Sequence, residues 1–236
     1  MFEREHHQRI AKVLQALDGE RLRSLGCLFG GGTCIALRYG EYRESVDIDF
    51  LVSAPDGYRE LRQVLTTPLG LDALLREGAP RLQVAREVRA DQYGLRTSVL
   101  MDGQAIKLEI VREARIALQT PSREDQVCGI PSLTPLDLAA SKLLANSDRR
   151  ADDGVFSRDL IDLAMMGLRL GELRAAEEKA SIAYGPAIMC DLASAIEAMQ
   201  QRQAWLERCM RALAIRIPRA VVWQRIRALR RLLPPP

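Results

Sequence analysis

The stretch from Gly31 to Phe50, GGTCIALRYGEYRESVDIDF, constrains this chain more than any other segment. A glycine turn leads into a short helical run, and a strand-like segment then sets Asp47 and Asp49 two apart. In a strand, side chains alternate faces, so Asp47 and Asp49 share a side with Cα atoms about 6.6 Å apart, while Ile48 and Phe50 point into a core. Glycine lets main-chain N–H groups approach a phosphate with no Cβ in the way, and a helix N-terminus adds a favourable dipole. Two carboxylates on one face suit divalent cations about 3.5–4 Å apart, which clamp the attacking and leaving oxygens of phosphoryl chemistry. Asp-x-Asp alone also fits a solvated strand end. The upstream Gly-Gly-Thr is what points to a nucleotide site.

Several chemistries are excluded by what the sequence lacks. Its only histidines are His6 and His7, so a Ser-His-Asp triad, a Cys-His pair or a histidine zinc site would have to be built from a terminal helix. Five cysteines, an odd number with no Cys-x-x-Cys pair, read as reduced thiols in a cytoplasmic protein. The first residues, MFEREHHQRI, lack a signal-peptide apolar core, and no apolar run reaches the roughly 18 residues of a membrane span. Carboxylates, lysines and a metal remain. Only four of the 34 basic residues are lysines: Lys12, Lys107, Lys142 and Lys179. Lysine is a compact point charge suited to phosphate, whereas arginine is a planar fork.

The periodicity predicts a helix over 3–18, a strand over 25–29 ending in Gly30-Gly31-Gly32, a helix over 33–38 and a strand over 47–52. Helices at 57–66 and 70–77 follow, then strands at 81–90, 95–101 and 104–111. Asp102-Gly103 is a strong hairpin signal, so the last two strands pair antiparallel. On 104–111, Lys107 and Glu109 share the face opposite Ile106, Leu108 and Ile110. Beyond residue 131 the pattern is helical only, opened by Thr134-Pro135-Leu136-Asp137 as a helix start. Helices are expected to about 146 and over 154–168, 171–183, 187–212 and 218–233. The expected fold is α/β (α+β), a mixed sheet flanked by helices in residues 1–130 followed by a helical bundle in 131–236.

Gly-Gly-Thr at 31–33, Arg43-x-Ser45-x-Asp47-Ile48-Asp49-Phe50, Ile106-Lys107-Leu108-Glu109-Ile110, and Lys142 followed by Arg158-Asp159-Leu160-Ile161-Asp162-Leu163 occur in that order. The order resembles the DNA polymerase β-like nucleotidyltransferase superfamily and, within it, the AbiEii/AbiGii-type toxin nucleotidyltransferases, over roughly residues 25–165. The resemblance implies a nucleotidyltransferase-type sheet. It also implies transfer of a nucleoside monophosphate from an NTP to RNA, with the tRNA 3′ end as the expected acceptor, by the toxin of a toxin–antitoxin or phage-defence pair with a cognate antitoxin. The alternatives are a small-molecule acceptor, as in antibiotic nucleotidyltransferases, and a non-catalytic RNA- or partner-binding module.

From chemistry and resemblance together, Gly31, Gly32 and Thr33 are expected to hold the triphosphate, and Asp47 and Asp49 to bind Mg²⁺ or Mn²⁺. Glu109 completes the metal site or takes a proton from the attacking hydroxyl. Lys142 neutralises phosphate, with the helical domain completing the active site. Asp159 and Asp162 either position Lys142 or contact the nucleotide, unless they are a surface pair with a neighbouring arginine and a helix-packing hydrogen bond. Lys107 is either a phosphate ligand or the partner of Glu109, and Arg43 and Ser45 either touch phosphate or shape their loop. Between Arg202 and Arg231, nine arginines face one acid, Glu207, a local charge of +8 that leaves the rest of the +3 chain at −5. Arg225, Arg227 and Arg230 in this stretch are expected to track a nucleic-acid backbone or, alternatively, to form a solvated helix face.

Overall fold

The computed structural model describes residues 2–233, and its contacts divide the chain into two compact units. The first comprises residues up to Arg38 and Ser45–Thr134. The second comprises Tyr39–Glu44 and the chain from Pro135 onward.

In the first unit, α1 (Glu5–Ala16) buries Ile10, Val13 and Leu14 at helical spacing, and the six-residue α2 (Gly19–Ser24) starts where Asp18 accepts a hydrogen bond from the Arg21 N–H. This helix is too short for its periodicity to show in the sequence. β1 (Leu28–Gly30) runs straight into α3 (Gly31–Arg38), and β2 (Ile48–Val52) and α4 (Pro55–Leu65) follow. β3 (Gln83–Ala90), β4 (Gly94–Met101) and β5 (Gln104–Arg112) form a meander, with Asp102 and Gly103 both at positive φ in the turn, as the Asp-Gly pair requires. The sheet order is β1-β2-β5-β4-β3, with β2 and β5 parallel and the other neighbours antiparallel. One face holds the core, where Phe29 and Phe50 tilt against each other at 5.8 Å between Ile48, Leu95, Ile106 and Ile110. A two-stranded ribbon of β6 (Gln126–Val127) and β7 (Ile130–Pro131), too brief to announce itself in the sequence, closes the unit.

The second unit is helical. It comprises α5 (Pro135–Arg149), α6 (Arg158–Met165), α7 (Leu170–Tyr184), α8 (Ala187–Gln201), α9 (Trp205–Ala212) and α10 (Arg219–Ala228). The continuous helix expected over 187–212 is two helices, broken where Ala204 takes a positive φ and Trp205 is buried beneath Arg202, stacked on Phe156. The same packing shortens the helix expected over 154–168. Phe156 and Ser157 both have positive φ, Ser157 Oγ accepts from Trp205 Nε1, and α6 starts only at Arg158. Among the described residues no helix is long and apolar enough to cross a membrane.

Candidate active site

Gly31 joins β1 to α3 at φ +67°, the left-handed region that glycine enters without a Cβ penalty. A Cβ there would lie 2.4 Å from Asp49 Oδ2, so this turn abuts the carboxylate directly. Gly30 is instead a packing residue, since a Cβ on it would meet Leu133 and Leu51 at 2.7 Å. Gly32 follows half-buried in the first turn of α3. Thr33 departs from its expected role. It is 1% exposed, and its hydroxyl lies within hydrogen-bond distance of the Asp47 carbonyl and, at 2.8 Å, of Ser45 Oγ. A hydroxyl has one proton, so Thr33 donates to the carbonyl and accepts from Ser45, fixing the loop into β2 and leaving nothing for a phosphate. The two histidines hold the same loop. His7 Nε2 accepts from the Ser45 N–H at 3.1 Å, and His6 Nε2 lies 3.0 Å from the Val46 carbonyl.

The parallel register pairs Asp49 with Glu109, and Asp47, one residue before β2, falls on the same face by alternation. Glu109 is gripped by Lys107 Nζ at 2.6 Å and Arg96 Nε at 3.0 Å, and Arg96 reaches on to Asp91 at 2.7 Å. The Lys107 ammonium is held above its ordinary range, first by its hydrogen bond to Glu109, against the opposing effect of burial, and then by the charges of Glu109, Asp47 and Asp49. Lys107 therefore senses all three carboxylates, and the structure shows it as the partner of Glu109. Hard carboxylate oxygens suit Mg²⁺, which takes one or two of them and fills its shell with water and substrate phosphate. Among the described residues no group of three or more His, Cys, Asp or Glu side chains is gathered in ligating geometry, so Asp47, Asp49 and Glu109 do not form a three-ligand cluster in this structure.

A second cluster belongs to the helical unit and has Asp162 at its centre, fully buried. Arg43 Nε and Nη2 donate to its two oxygens at 2.6 and 2.9 Å, the Tyr42 hydroxyl donates to Oδ1, and Lys142 Nζ lies 2.7 Å from Oδ2. Lys142 also bonds Asp159 at 2.9 Å, and Arg149 grips Asp159 through Nε and Nη2. Burial pushes the Lys142 ammonium down, but the charges of Asp159 and Asp162 outweigh it and leave the group above its ordinary range. Burial raises both carboxyls, and the cations more than reverse this, Arg43 and Lys142 at Asp162 and Lys142 and Arg149 at Asp159. Both aspartates are thus paired with Lys142 and with an arginine each, within the helical unit. For Arg43 the phosphate reading is corrected, because Nη1 donates to the Glu44 carbonyl and the other two nitrogens are spent on Asp162.

The C-terminal arginines do not form one binding stripe. Arg225 and Arg227, two apart on α10, flank the buried Ile226 about 200° apart, so they cannot face one backbone together. Arg225 packs on Gly167, where a Cβ would lie 2.3 Å from its guanidinium, and Arg230 donates to Gln200. Arg202 pairs with Asp153 and Arg219 with Glu207. Sequence reasoning missed Tyr42, Arg149 and Arg96. The last was legible, since the Asp102-Gly103 turn pairs Met101 with Gln104, and counting back along the hairpin sets Arg96 opposite Glu109.

A mixed sheet whose parallel neighbours carry Asp49 and Glu109 beside a glycine turn, followed by helices, defines a nucleotidyltransferase. Residues 13–214 match the family described as nucleotidyl transferase AbiEii toxin, type IV toxin–antitoxin system, and the chain belongs to that family. Among solved structures it is similar to JHP933 from Helicobacter pylori, at 16% identity and TM-score 0.45 over 96% of this chain and 94% of that one. A second H. pylori crystal structure matches at 12% identity and TM-score 0.38 over 95% and 96%. No curated protein gives a significant match.

Proposed function

We propose that the protein moves a nucleoside monophosphate from an NTP to a hydroxyl of RNA, the tRNA 3′ end being the acceptor, in the presence of Mg²⁺, and that a cognate antitoxin restrains it. The observation that carries this reading is the register of β2 on β5, which sets Asp49 beside Glu109 with Gly31 against the Asp49 carboxylate. Asp47 and Asp49 would hold the ion, which when bound neutralises charge on the phosphate oxygens. The acceptor oxygen attacks the α-phosphorus, the bond to the β-phosphate breaks, and pyrophosphate leaves with the electron pair. Glu109, which Lys107 and Arg96 hold in place, takes the proton of the attacking hydroxyl. The main chain at Gly31 and Gly32 receives the phosphates. Tyr42, Arg43, Lys142 and Asp162 hold the segment that continues directly into Ser45 and Asp47.

Pyrophosphate release from each NTP with Mg²⁺ and bulk tRNA is the test. Wild-type protein is expected to release pyrophosphate, while Asp49→Ala loses release with its fold intact and Glu109→Gln falls at least about 100-fold. Wild-type rates from a folded Asp49→Ala protein would refute the assignment.

A further inference from the structure

The edge strand β3 is irregular in a directed way. Its register against β4 pairs Val84 with Val99, Arg86 with Ser98 and Arg89 with Arg96. Two residues of β3 therefore oppose one step of β4 between positions 84 and 86, and three oppose two between 86 and 89, which makes two β-bulges. In a regular strand, residues 86 and 89 would point to opposite faces, because their separation is odd. The second bulge removes that difference, so both arginines stand with Ser98 and Arg96 on one face. Arg96 is opposite Glu109, and Glu109 is opposite Asp49. Arg86 and Arg89 thus share the face of the carboxylates, with Arg89 two strand spacings, about 10 Å, from Glu109. The buried Thr97 secures the bulge by donating its hydroxyl to the Arg86 carbonyl at 2.6 Å.

Both side chains are exposed, and neither has an ion-pair partner among the described residues. Arg89 stands directly opposite another arginine, and like charges opposite one another destabilise a sheet. A charged, bulged edge strand also discourages edge-to-edge pairing between chains. Edge protection needs charge and irregularity alone; it does not require both charges to be turned to the carboxylate side, nor one of them set against Arg96.

We propose that the face of β3 and β4 binds the sugar–phosphate backbone of the acceptor RNA just ahead of its reacting hydroxyl, with Arg86 and Arg89 on its phosphates. This rests on the reading of the protein as an RNA nucleotidyltransferase and assigns the acceptor surface to the sheet, in place of the C-terminal helices favoured by charge counting. The acceptor's negative charge offsets the repulsion between Arg89 and Arg96, and the surface is continuous with Glu109, which meets the acceptor hydroxyl.

The test measures bulk tRNA affinity across a sodium chloride series, pyrophosphate release and melting temperature for four full-length proteins: wild type, Arg86→Gln/Arg89→Gln, Arg86→Lys/Arg89→Lys and Arg225→Gln/Arg227→Gln/Arg230→Gln. The double glutamine variant is expected to bind tRNA more weakly, with a log–log salt slope shallower by about 1.4 for two lost contacts to a single strand. It should melt no lower than wild type, since a like-charge pair has been removed, and its release rate at saturating tRNA should stay near wild type while KM for tRNA rises. The lysine variant should recover most of the affinity, and the C-terminal triple variant should keep it. If wild type binds and uses tRNA but the double glutamine variant keeps wild-type affinity and slope, or merely aggregates with its affinity intact, the acceptor surface is refuted and the enzyme reading stands. If wild type neither binds tRNA nor releases pyrophosphate with it, the RNA reading falls and the surface with it.

Discussion

Removing the Asp162 carboxylate is expected to be among the most damaging single changes in the helical unit. Its side chain is fully buried, and its ion partners Arg43 and Lys142 are 5% and 6% exposed, so water can replace none of the lost contacts. In Asp162→Ala, Arg43 keeps only the Glu44 carbonyl and Lys142 keeps only Asp159. Breaking a buried ion pair from one side costs about 3–5 kcal/mol, because the partner stays buried and unpaired. Arg43 is left with no carboxylate and Lys142 with one of its two, which places the loss toward the upper end. That is a large share of the roughly 5–15 kcal/mol that holds a domain folded, and 4 kcal/mol alone is about a thousandfold in the folding equilibrium. Urea unfolding followed by far-ultraviolet circular dichroism reads it as a drop in midpoint at unchanged slope. A companion variant, Tyr42→Phe/Arg43→Met/Lys142→Met/Asp162→Leu, removes the polar groups around Asp162 together while Asp159 keeps Arg149, and should regain a large part of the stability, since burying the charges is what made their separation costly. A loss below about 1 kcal/mol for Asp162→Ala, the size of an exposed pair, would refute the reasoning.

Three further outcomes are expected. Asp159 and Asp162 titrate below their usual 3.8 when folded, so their stabilisation is fully present above that pH and is lost as the pH falls through the depressed values; Asp162→Asn should flatten the acid limb of a stability–pH curve, and an unchanged limb would count against the cluster. Gly31→Ala combines a left-handed backbone with a 2.4 Å clash on Asp49 and should cost about 1–3 kcal/mol or more by thermal melting, together with pyrophosphate release; a neutral result would mean the turn relaxes freely. Lys179→Met removes an ion pair made to a fully buried carboxylate, Asp137, and should lower the melting temperature by several degrees, whereas Lys12→Met breaks only the half-exposed pair with Asp102 and should shift it little; equal shifts would undo this contrast.

Local rules carried the reading of the sheet and failed where two distant segments had to meet. The alternation in 104–111 and the Asp-Gly turn were legible because each is a property of a few neighbouring residues. The parallel pairing of β2 with β5 was not, because β3 and β4 intervene and nothing in either strand names the other. Arg43 looked like a loop cation near phosphate, since no signal around it points to Asp162, 119 residues away. Thr33 looked like a phosphate ligand for the same reason: its type and position fit, and only the fold reveals that Ser45 and the Asp47 carbonyl already occupy its hydroxyl. The two bulges in β3 leave no mark in QVAREVRA beyond an odd spacing of arginines.

That long reach between Arg43 and Asp162 also orders events during synthesis. A chain made from its N-terminus presents Tyr42 and Arg43 long before α6 exists, and pairings between distant residues form late because a large loop must close first. Until α6 has emerged, Tyr42 and Arg43 lack their partner Asp162, and only Thr33, His6 and His7 hold the chain that leads into Asp47. A product truncated before residue 158 would carry the carboxylate motif and the contacts of Thr33, His6 and His7 on the loop into β2, but would leave Tyr42 and Arg43 without the carboxylate they share.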